Sequence, residues 1–329
     1  MLRNALRLSC AAVALFASIT CAPAVAPLRA DIEAFIAEME KKHGYAPLAL
    51  RQLLQQGQVR PSILRAMSAP GTARPWFEYR RRIVEPTRIG SGVRFWIENA
   101  SALERARRDF GVPEELIVAT IGIETLYGRN IGNFKVLDAL VTLAFEYPPR
   151  ADLFRGELEE YLLLAREAGL DPAAVRGSYA GAIGIPQFLP SSYRKYAVDF
   201  DGDGQRDLVR SVADAIGSVA NYYRSFGWST GAPVVVSAES GDAELGPLLA
   251  GGIRPHVTIG ELRSRGLVVG EPVDDGAEAT VFFVQLENGP KLKLGLNNFY
   301  VITRYNRSIN YAMAVHELAT ELRTAMRAR

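Results

Sequence analysis

The sequence predicts a mainly α protein of the α+β class, with a helical core, an N-terminal helical region and one small β-rich insertion late in the chain. Apolar residues recur at helical spacing over most of its length. Between residues 233 and 296, however, the runs VVV, TVFFVQL and KLKLGL are rich in β-branched or alternating apolar residues. The segment ENGP between the last two runs is typical of a hairpin, so this part is predicted to be a sheet.

The composition is that of a globular protein without a strong net charge. The chain has 329 residues, of which 48% are hydrophobic and 22% are charged, enough for one large domain or two to three small ones. Its formal charge of +2 becomes 0 when the two arginines of the first 26 residues are left out. The charge therefore gives no argument for a nucleic-acid partner or an anionic membrane.

Residues 1–26 have the features of a secretory signal peptide. Arg3 and Arg7 form a basic start, CAAVALFASITC is an apolar stretch too short to span a membrane, and APAVA offers small-residue cleavage sites. We therefore expect the mature chain to be soluble and exported to the periplasm.

Both cysteines, Cys10 and Cys21, lie inside this segment, so the mature chain is expected to contain no disulfide. Cys21 is an alternative lipid-attachment site that would anchor the protein to the outer membrane. The preceding Ser18-Ile19-Thr20 is a poor match to the small, apolar residues that usually stand before a lipidated cysteine. Export without an anchor is the favoured prediction.

The N-terminal helical region is predicted for residues 27–75. Asp31 is expected to cap a first helix that ends at Gly44, because glycine readily adopts the left-handed conformation of a helix end. A shorter helix is predicted from Leu48 to Gln56.

A helical core is predicted for residues 76–230. Ser91 is expected to open a helix that continues through Phe95 to Ala106, and Pro113 is expected to begin the next, since proline suits the first helical turn. Further helices are predicted at 134–146, 150–168 and 211–226.

The helix that begins near Pro113 carries one carboxylate, Glu124, in its last turn, and Gly128 is expected to end it. At helical spacing Glu124 shares a face with Ile117, Thr120 and Ile121, whose burial would desolvate the carboxylate and raise its pKa. A raised pKa is what a general acid at neutral pH requires. The alternative is a glutamate that points into water at a helix end.

Other chemistry finds little support in the sequence. The histidines His43, His256 and His316 are scattered without metal-ligand spacing, and the mature chain has no cysteine nucleophile. There is also no Gly-x-Ser-x-Gly elbow and no phosphate-binding loop. An acid-based reaction that needs no cofactor for catalysis is what remains.

The loop DFDGDGQRD has the spacing of a calcium-binding loop. Its oxygen ligands would be Asp199, Asp201, Asp203, the backbone carbonyl of Gln205, and Asp207. Arg210 stands at the twelfth position, where such loops place a bidentate glutamate, and Asp214 on the next helix is the candidate to close the site instead. We expect a structural Ca²⁺, and the alternative is a solvated acidic turn.

The end of the chain contains the small β-rich subdomain, predicted for residues 231–296, and a segment over 297–329 that returns to the core. Helical periodicity in this last segment covers 308–327.

Three long motifs in this order carry a family resemblance: GIETLYGRNIGNFKVLDALVTLAF, SYAGAIGIPQFLPSSYRKYAVDFDGDG and DAIGSVANYYRSFGW. Together they closely resemble the membrane-bound lytic murein transglycosylase B family, whose core is lysozyme-like. The resemblance extends from about Trp76 to the C-terminus and implies a lysozyme-like catalytic core. It also places a metal-binding loop where DFDGDGQRD lies, including the late aspartate, which supports Asp214.

The resemblance implies cleavage of the β-1,4 bond between N-acetylmuramic acid and N-acetylglucosamine in peptidoglycan, with a 1,6-anhydromuramic end as product. Glu124 matches the family's single catalytic glutamate. The positions that match glycan-contacting residues of the family are Ser178, Gln187, Tyr222, Tyr305, Asn306, Tyr311, Arg150 and Tyr79. For each aromatic residue among them, core packing is the alternative.

With one carboxylate, the implied mechanism uses Glu124 first as acid and then as base, whereas ordinary glycosidases divide these tasks between two carboxylates. A hydrolytic muramidase on the same core and a non-catalytic peptidoglycan-binding protein are the alternatives. The implied partners are peptidoglycan glycan strands, with cell-wall synthesis or division proteins as further candidates, and a monomer is expected.

Overall fold

The computed structural model describes residues 28–68 and 74–329. The predicted signal peptide over residues 1–26, with Cys10 and Cys21, lies outside these ranges. The chain separates into two compact units, Met1–Gln52 and Leu53–Arg329, and the second contains all of the site residues predicted above. Within the described ranges, no helix is both long enough and apolar enough to cross a bilayer.

The described residues form fifteen α-helices, so the prediction of a mainly helical protein is confirmed. The helices are α1 (Ala30–His43), α2 (Pro47–Gln56), α3 (Pro61–Ser68), α4 (Trp76–Ile83), α5 (Pro86–Glu98), α6 (Ala100–Phe110), α7 (Glu114–Thr125), α8 (Val136–Glu146), α9 (Ala151–Glu167), α10 (Pro190–Tyr196), α11 (Val212–Ser225), α12 (Gly246–Ala250), α13 (Ile259–Ser264), α14 (Asn297–Tyr305) and α15 (Ile309–Arg327). A short 3₁₀ helix covers Pro148–Arg150.

Seven strands form two antiparallel sheets. The strands are β1 (Phe134–Lys135), β2 (Arg176–Gly177), β3 (Val235–Glu239), β4 (Val257–Thr258), β5 (Val268–Val269), β6 (Glu278–Leu286) and β7 (Gly289–Gly295). Strands β1 and β2 pair with each other, and the other five follow the order β4-β6-β7-β3-β5.

The first helix ends as predicted but is not capped as predicted. Gly44 adopts the left-handed conformation at φ 66° and ends α1. Asp31 lies inside the first turn rather than at the N-cap, which is occupied by Arg29. The carboxylate of Asp31 pairs with the guanidinium of Arg29 and accepts the N–H of Ile32. The acid therefore stabilises the helix start through an ion pair and the helix dipole.

The helix predicted to begin at Ser91 is two helices, and the first begins earlier. Helix α5 starts at Pro86 because the carboxylate of Glu85 accepts the N–H groups of Thr87 and Arg88, which caps it. Ser91 lies buried in the middle of α5. The chain bends at Asn99, and α6 continues to Phe110.

Helix α7 lies at the centre of the larger unit. Eight of its twelve residues are buried, and a helix that is apolar on all sides is expected to be surrounded by other elements. Helices α5, α6, α11 and α15 pack against it. The end of α7, where Glu124 lies, is thus positioned by several parts of the chain.

The five-stranded sheet forms a small subdomain with its own apolar core, which includes Ile259, Val281 and Leu294. Strands β6 and β7 form the predicted hairpin, with Leu286 opposite Gly289. The chain enters and leaves the subdomain at neighbouring points, because the N–H of Leu296 donates to the carbonyl of Val234.

Candidate active site

Glu124 lies in the last turn of α7 as predicted, half-buried, just before an unusual change of backbone direction. Leu126 and Tyr127 both adopt left-handed conformations, at φ 53° and 62°, and Gly128 follows at φ 82°. Two consecutive non-glycine residues in this region are rare, and each costs on the order of 1–3 kcal/mol. The surrounding structure therefore holds this turn in place.

The carboxyl group of Glu124 has one hydrogen-bond partner among the described side chains. The hydroxyl of Tyr311, in the first turn of α15, donates to Glu124 Oε1 at 2.5 Å. Burial raises the pKa of Glu124 to about 7, and the hydrogen bond from Tyr311 lowers it in part. Glu124 is therefore protonated in a substantial fraction of molecules at neutral pH, as a general acid must be.

Five tyrosines lie close enough to Glu124 for its charge to raise the pKa of their hydroxyls, in addition to the effect of burial. Four of them are the predicted site residues Tyr79, Tyr222, Tyr305 and Tyr311. The fifth, Tyr223, was missed. Because every one of these hydroxyls stays protonated at neutral pH, Glu124 is surrounded by neutral polar groups rather than by opposite charges.

Of the four predicted tyrosines, Tyr79, Tyr222 and Tyr311 are buried and Tyr305 is half-buried. Tyr222 is only 6% exposed, and its hydroxyl donates to the carbonyl of Arg304 at 2.6 Å. The hydroxyl of Tyr305 donates to the carbonyl of Pro186 at 2.5 Å. Their ring centroids lie 4.8 Å apart, and both contact Phe188. These rings thus form a wall of aromatic side chains near Glu124, and their predicted contact with glycan stays a prediction.

Gln187 is held in a fixed orientation beside this wall. It adopts φ 52°, and its side-chain nitrogen donates to the carbonyls of Ile131 and Gly184 at 3.1 and 2.9 Å. Both amide hydrogens are used in this way. The side-chain oxygen is consequently the atom that Gln187 offers to an incoming donor.

Ser178 follows β2, in a loop that touches the segment after Glu124. Its hydroxyl oxygen accepts the N–H groups of Ala180 and Ala182 at 3.2 and 3.0 Å. Gly132 lies so close to this loop that a Cβ there would clash with the carbonyl of Gly177, at a φ of 93° that also favours glycine. Ser178 is half-buried and keeps its hydroxyl proton to donate.

The remaining two predicted positions are exposed. Asn306 lies between α14 and α15, five residues before Tyr311. Arg150 ends the 3₁₀ helix, and its guanidinium lies over the ring of Phe154 at 5.4 Å. Arg150 therefore sits at the start of α9, and none of its described contacts joins it to Glu124.

The loop over 199–214 brings together three of the six predicted metal ligands. Carboxylate oxygens of Asp199, Asp201 and Asp214 lie within 4.8 Å of one another. Asp214 is buried, and it accepts the N–H groups of Phe200 and Asp207 at 2.7 and 2.8 Å. Burial raises its pKa despite these hydrogen bonds. Three carboxylates this close together suit a hard cation such as Ca²⁺.

The other predicted ligands are not part of this group of three carboxylates. The carboxylate of Asp207 accepts the N–H groups of Val209 and Arg210, at 2.9 and 3.0 Å, and so caps the following turn. Asp203 accepts the N–H of Gln205 at 2.8 Å. The cluster of three acids includes neither Asp203 nor Asp207. Arg210, at the twelfth position, supplies no acid, and Asp214 is the late acid that joins the cluster, as predicted.

Comparison with known proteins identifies the family of this chain. A family model described as "Transglycosylase SLT domain" matches residues 28–320. Membrane-bound lytic murein transglycosylase B from Escherichia coli (strain K12) is 44% identical over 298 residues, which are 88% of this chain and 81% of that protein. The chain belongs to the transglycosylase SLT family. It is a lytic transglycosylase, and the family predicted from the three motifs is confirmed.

Solved structures of SLT-family relatives have the same fold. The E. coli lytic transglycosylase Slt35, solved in complex with calcium, matches with a TM-score of 0.82 and 42% identity over 90% of this chain and 94% of its own. SltB3 from Pseudomonas aeruginosa, solved in complex with NAG-anhNAM-pentapeptide, matches with a TM-score of 0.75 and 29% identity over 89% of this chain and 79% of its own. The lysozyme-like fold predicted from the family resemblance is confirmed.

Two residues of this candidate site were not predicted from the sequence. Thr125 donates to the carbonyl of Ile185 at 2.8 Å and accepts the N–H of Gly128 at 3.0 Å, so it ties α7 to the Gln187 loop. The Tyr223 hydroxyl bonds to Thr120 at 2.8 Å and ties α7 to α11. Both lie next to predicted residues, which was the only sequence signal available.

Proposed function

We propose that this SLT-family enzyme cleaves the β-1,4 bond between N-acetylmuramic acid and N-acetylglucosamine in peptidoglycan and leaves a 1,6-anhydromuramic end. Glu124 is the one residue that acts as acid and as base. The strongest support is the environment of its carboxyl group, which is half-buried, hydrogen-bonded by Tyr311 and has its pKa raised to about 7. A group with this pKa can both give and accept a proton near neutral pH.

In the first step Glu124 gives its proton to the oxygen that links the two sugars. The bond from that oxygen to C1 of the muramic residue breaks, and positive charge develops at C1. The carbonyl oxygen of the substrate's own 2-acetamido group stabilises this charge. The Tyr311 hydroxyl stabilises the carboxylate that remains, because it already donates to Oε1.

In the second step the ionised Glu124 acts as base. It takes the proton from the C6 hydroxyl of the same muramic residue, and the C6 oxygen forms a bond to C1. The anhydro ring closes, and Glu124 is protonated again as it was at the start. No water is consumed, so the reaction is a non-hydrolytic cleavage of the lyase type.

The glycan is held by side chains that offer fixed polar atoms at the ends of their loops. We place the side-chain oxygen of Gln187, the hydroxyl proton of Ser178 and the exposed amide of Asn306 on the sugars. Tyr79, Tyr222, Tyr305 and Tyr311 are placed around the Glu124 carboxyl as the predicted aromatic residues of the site. Arg150, being exposed and cationic, is assigned to a more distant part of the strand.

The acidic loop is proposed to hold a structural Ca²⁺, which agrees with the calcium complex of Slt35. Asp199, Asp201 and Asp214 would be its first ligands, because their oxygens already lie close together. Asp203, Asp207 and the carbonyl of Gln205 would complete the coordination by small shifts of the loop. The ion would hold the loop to the start of α11 and takes no part in the reaction.

The enzyme is proposed to act as a monomer in the periplasm, where peptidoglycan lies, after removal of residues 1–26. The E. coli relative is described as membrane-bound, and attachment through Cys21 is the alternative for this chain. Proteins of cell-wall synthesis or division are the candidate partners, because an enzyme that cuts the wall must be coordinated with its assembly.

The test is to digest purified peptidoglycan with wild type and with Glu124→Gln and to measure the masses of the released muropeptides. Wild type is expected to release anhydro products, each one water lighter than a hydrolysed product. Glu124→Gln keeps the shape of the side chain but has no proton to give, so it is expected to release none while still binding glycan strands.

The matched control is Glu157→Gln. Glu157 is also a buried glutamate with a raised pKa, but it bonds to Ser191 on α10 and has no place in the reaction. This variant is expected to release the same anhydro products as wild type. Substantial lysis by Glu124→Gln would remove Glu124 from its role, and products of hydrolysed mass from wild type would favour a muramidase.

A further inference from the structure

Tyr127, three residues after Glu124, folds back along the helix that carries the carboxylate. The N–H of Leu126 donates to the carbonyl of Gly122 at 3.2 Å, and the N–H of Tyr127 donates to the carbonyl of Ile121 at 3.4 Å. With Leu126 and Tyr127 both left-handed, the chain reverses direction at the helix end. The Tyr127 side chain therefore lies against α7 instead of pointing away from it.

The ring of Tyr127 occupies a slot made by two glycines that face each other across α5 and α7. A Cβ placed on Gly122 would lie 2.5 Å from the Tyr127 hydroxyl and 2.6 Å from Cζ. A Cβ on Gly92 would lie 2.9 Å from Cζ and closer still to the hydroxyl. Phe95 closes the slot, with its ring centroid 5.4 Å from that of Tyr127. The ring fills space that any larger residue on either helix would take.

The hydroxyl at the end of the ring makes a single directed contact. It donates to the backbone carbonyl of Arg88 on α5 at 3.0 Å. Burial raises the pKa of Tyr127, so the hydroxyl remains a donor at every pH at which the enzyme works. The hydroxyl joins the end of α7 to the first turn of α5 at Arg88, and the ring joins it to the middle of α5 at Gly92.

We propose that Tyr127 is a positioning residue of the proposed reaction. Its ring, in the slot between Gly92 and Gly122, and its hydroxyl, bonded to Arg88, fix the last turn of α7. This turn sets the distance from the Glu124 carboxyl to Tyr311 and to the sugar. This inference rests on the proposed role of Glu124. Tyr127 itself has no described contact with the Glu124 side chain, so it acts through the backbone.

The first test compares Tyr127→Ala and Tyr127→Phe on a soluble, uncross-linked peptidoglycan strand. Because a displacement of about 1 Å can cost on the order of 100-fold in rate, Tyr127→Ala is expected to lower kcat by about tenfold or more with KM within about twofold. Tyr127→Phe keeps the ring and loses one hydrogen bond, so a loss of about three- to fivefold in kcat is expected.

The matched control is Tyr161→Phe. Tyr161 is another buried tyrosine whose hydroxyl donates to one backbone carbonyl, that of Pro172 at 2.7 Å, but it lies on α9. Its removal costs the fold a similar hydrogen bond. A kcat equal to that of wild type in Tyr161→Phe, beside a lowered kcat in Tyr127→Phe, separates positioning from general stability.

The second test uses the slot itself. Gly122→Ala should favour the helix on propensity alone, but it places a methyl group against the Tyr127 ring. It is therefore expected to lower kcat by about tenfold in the wild-type background and by less than twofold in the Tyr127→Ala background. Equal losses in both backgrounds would show that the ring is not what Gly122 accommodates, and would overturn the proposal.

The pH profile gives a readout that a purely structural role would not move. The titratable groups that face Glu124 are five tyrosine hydroxyls, all neutral at the pH of the assay: Tyr79 on α4, Tyr222 and Tyr223 on α11, Tyr305 on α14 and Tyr311 on α15. The charged group that faces Tyr127 from α5 is Arg88. The alkaline limb of kcat/KM thus reports Glu124. It is expected to shift in Tyr127→Ala and to stay in place in Tyr161→Phe.

The proposal is overturned if Tyr127→Ala retains kcat within twofold of wild type, or if only its KM changes. Should Tyr127→Ala fail to fold in circular dichroism, Tyr127→Phe decides by whether its kcat falls below that of Tyr161→Phe. A failure of the proposed function is a separate result, because it would appear as lysis by Glu124→Gln whatever the Tyr127 variants do.

Discussion

Glu124 is held where its ionised form is unfavourable, and this has a cost for the fold. Its pKa is raised from 4.5 to about 7, mainly by burial. Below pH 4.5 the carboxyl is protonated in the folded and in the unfolded chain, so the cost is absent. Between pH 4.5 and 7 the unfolded chain is ionised while the folded chain keeps its proton, so stability falls over this range and the loss reaches about 3 kcal/mol above pH 7.

Glu124→Gln should therefore be more stable than wild type at pH 8 and equally stable near pH 4.5. The amide cannot ionise, so it avoids the cost while it keeps the shape of the side chain. Thermal unfolding at both pH values measures this, with a gain of a few degrees in Tm expected at pH 8. The exposed Glu104→Gln is the control, and a gain of equal size at both pH values would contradict the burial of the Glu124 charge.

The hydrogen bond from Tyr311 changes the pKa of the Glu124 carboxyl in the direction opposite to that of burial. Its hydrogen bond lowers the pKa of Glu124, so Tyr311→Phe should raise that pKa further and move the alkaline limb of kcat/KM to higher pH. The lost bond to an ionised group is worth about 1.5–3 kcal/mol, which corresponds to a fall in kcat of about tenfold or more. An alkaline limb that moves to lower pH would show that Tyr311 does not stabilise the carboxylate.

The acidic loop and helix α11 form one unit through Asp214. Its carboxylate receives N–H groups from Phe200 and Asp207, while Ser211 caps α11 and donates to Asp201 at 2.6 Å. A bound Ca²⁺ would replace mutual repulsion of the acids with attraction to the ion.

Adding Ca²⁺ to protein freed of metal should raise Tm, because an ion that binds only the folded state stabilises it in proportion to the logarithm of its concentration. Asp201→Asn removes one exposed ligand and should weaken this rise. Asp274→Asn, an exposed aspartate of the β-rich subdomain, should leave the rise unchanged. A rise in Tm that is identical in all three proteins would contradict a calcium site at Asp201.

Local signals predicted most elements where a strong cap or stop was present. Gly44 ended α1 as expected, and α8, α9 and α11 begin and end within two residues of the predicted bounds. The start of α5 was misplaced because Ser91 resembles an N-cap, while the competing cap, Glu85 before Pro86, has its effect through two backbone N–H groups. The short helices α10, α12 and α13 have too few turns to show a period.

The β-rich subdomain is joined to the helical part of the protein by a stacked pair of rings. Phe282 on β6 lies 4.8 Å from Phe299 on α14, with the ring planes 17° apart. Strand β6 also packs against α4. The subdomain is therefore coupled to the helix that leads to Tyr305.

Phe282→Ala should cost about 3–5 kcal/mol of unfolding free energy, because it removes a ring that is only 5% exposed. The neighbouring Phe283 is 42% exposed, so Phe283→Ala should change stability by no more than about 0.5 kcal/mol. Urea unfolding of both variants measures the difference. Equal effects would show that the two faces of β6 are not distinguished as the structure has them.

The site itself joins parts of the chain that no local pattern connects. The hydrogen bond between Tyr311 and Glu124 spans 187 positions in the sequence. Helical spacing placed Glu124 on a buried face but left its exposure open, and only the family resemblance, which extends to the C-terminus, pointed to Tyr311. The bonds made by Thr125 and Tyr223 could not be foreseen, since they depend on how α7 packs against loops far away in the sequence.

Glu124 is proposed to close the anhydro ring without water. The most direct measurement is digestion of peptidoglycan by wild-type enzyme in water labelled with heavy oxygen, followed by mass spectrometry of the new muramic ends. Because the C6 oxygen of the sugar attacks C1, these ends should carry no label and should be one water lighter than hydrolysed ends. Labelled ends of hydrolysed mass would contradict this mechanism, since they would show that water is the nucleophile.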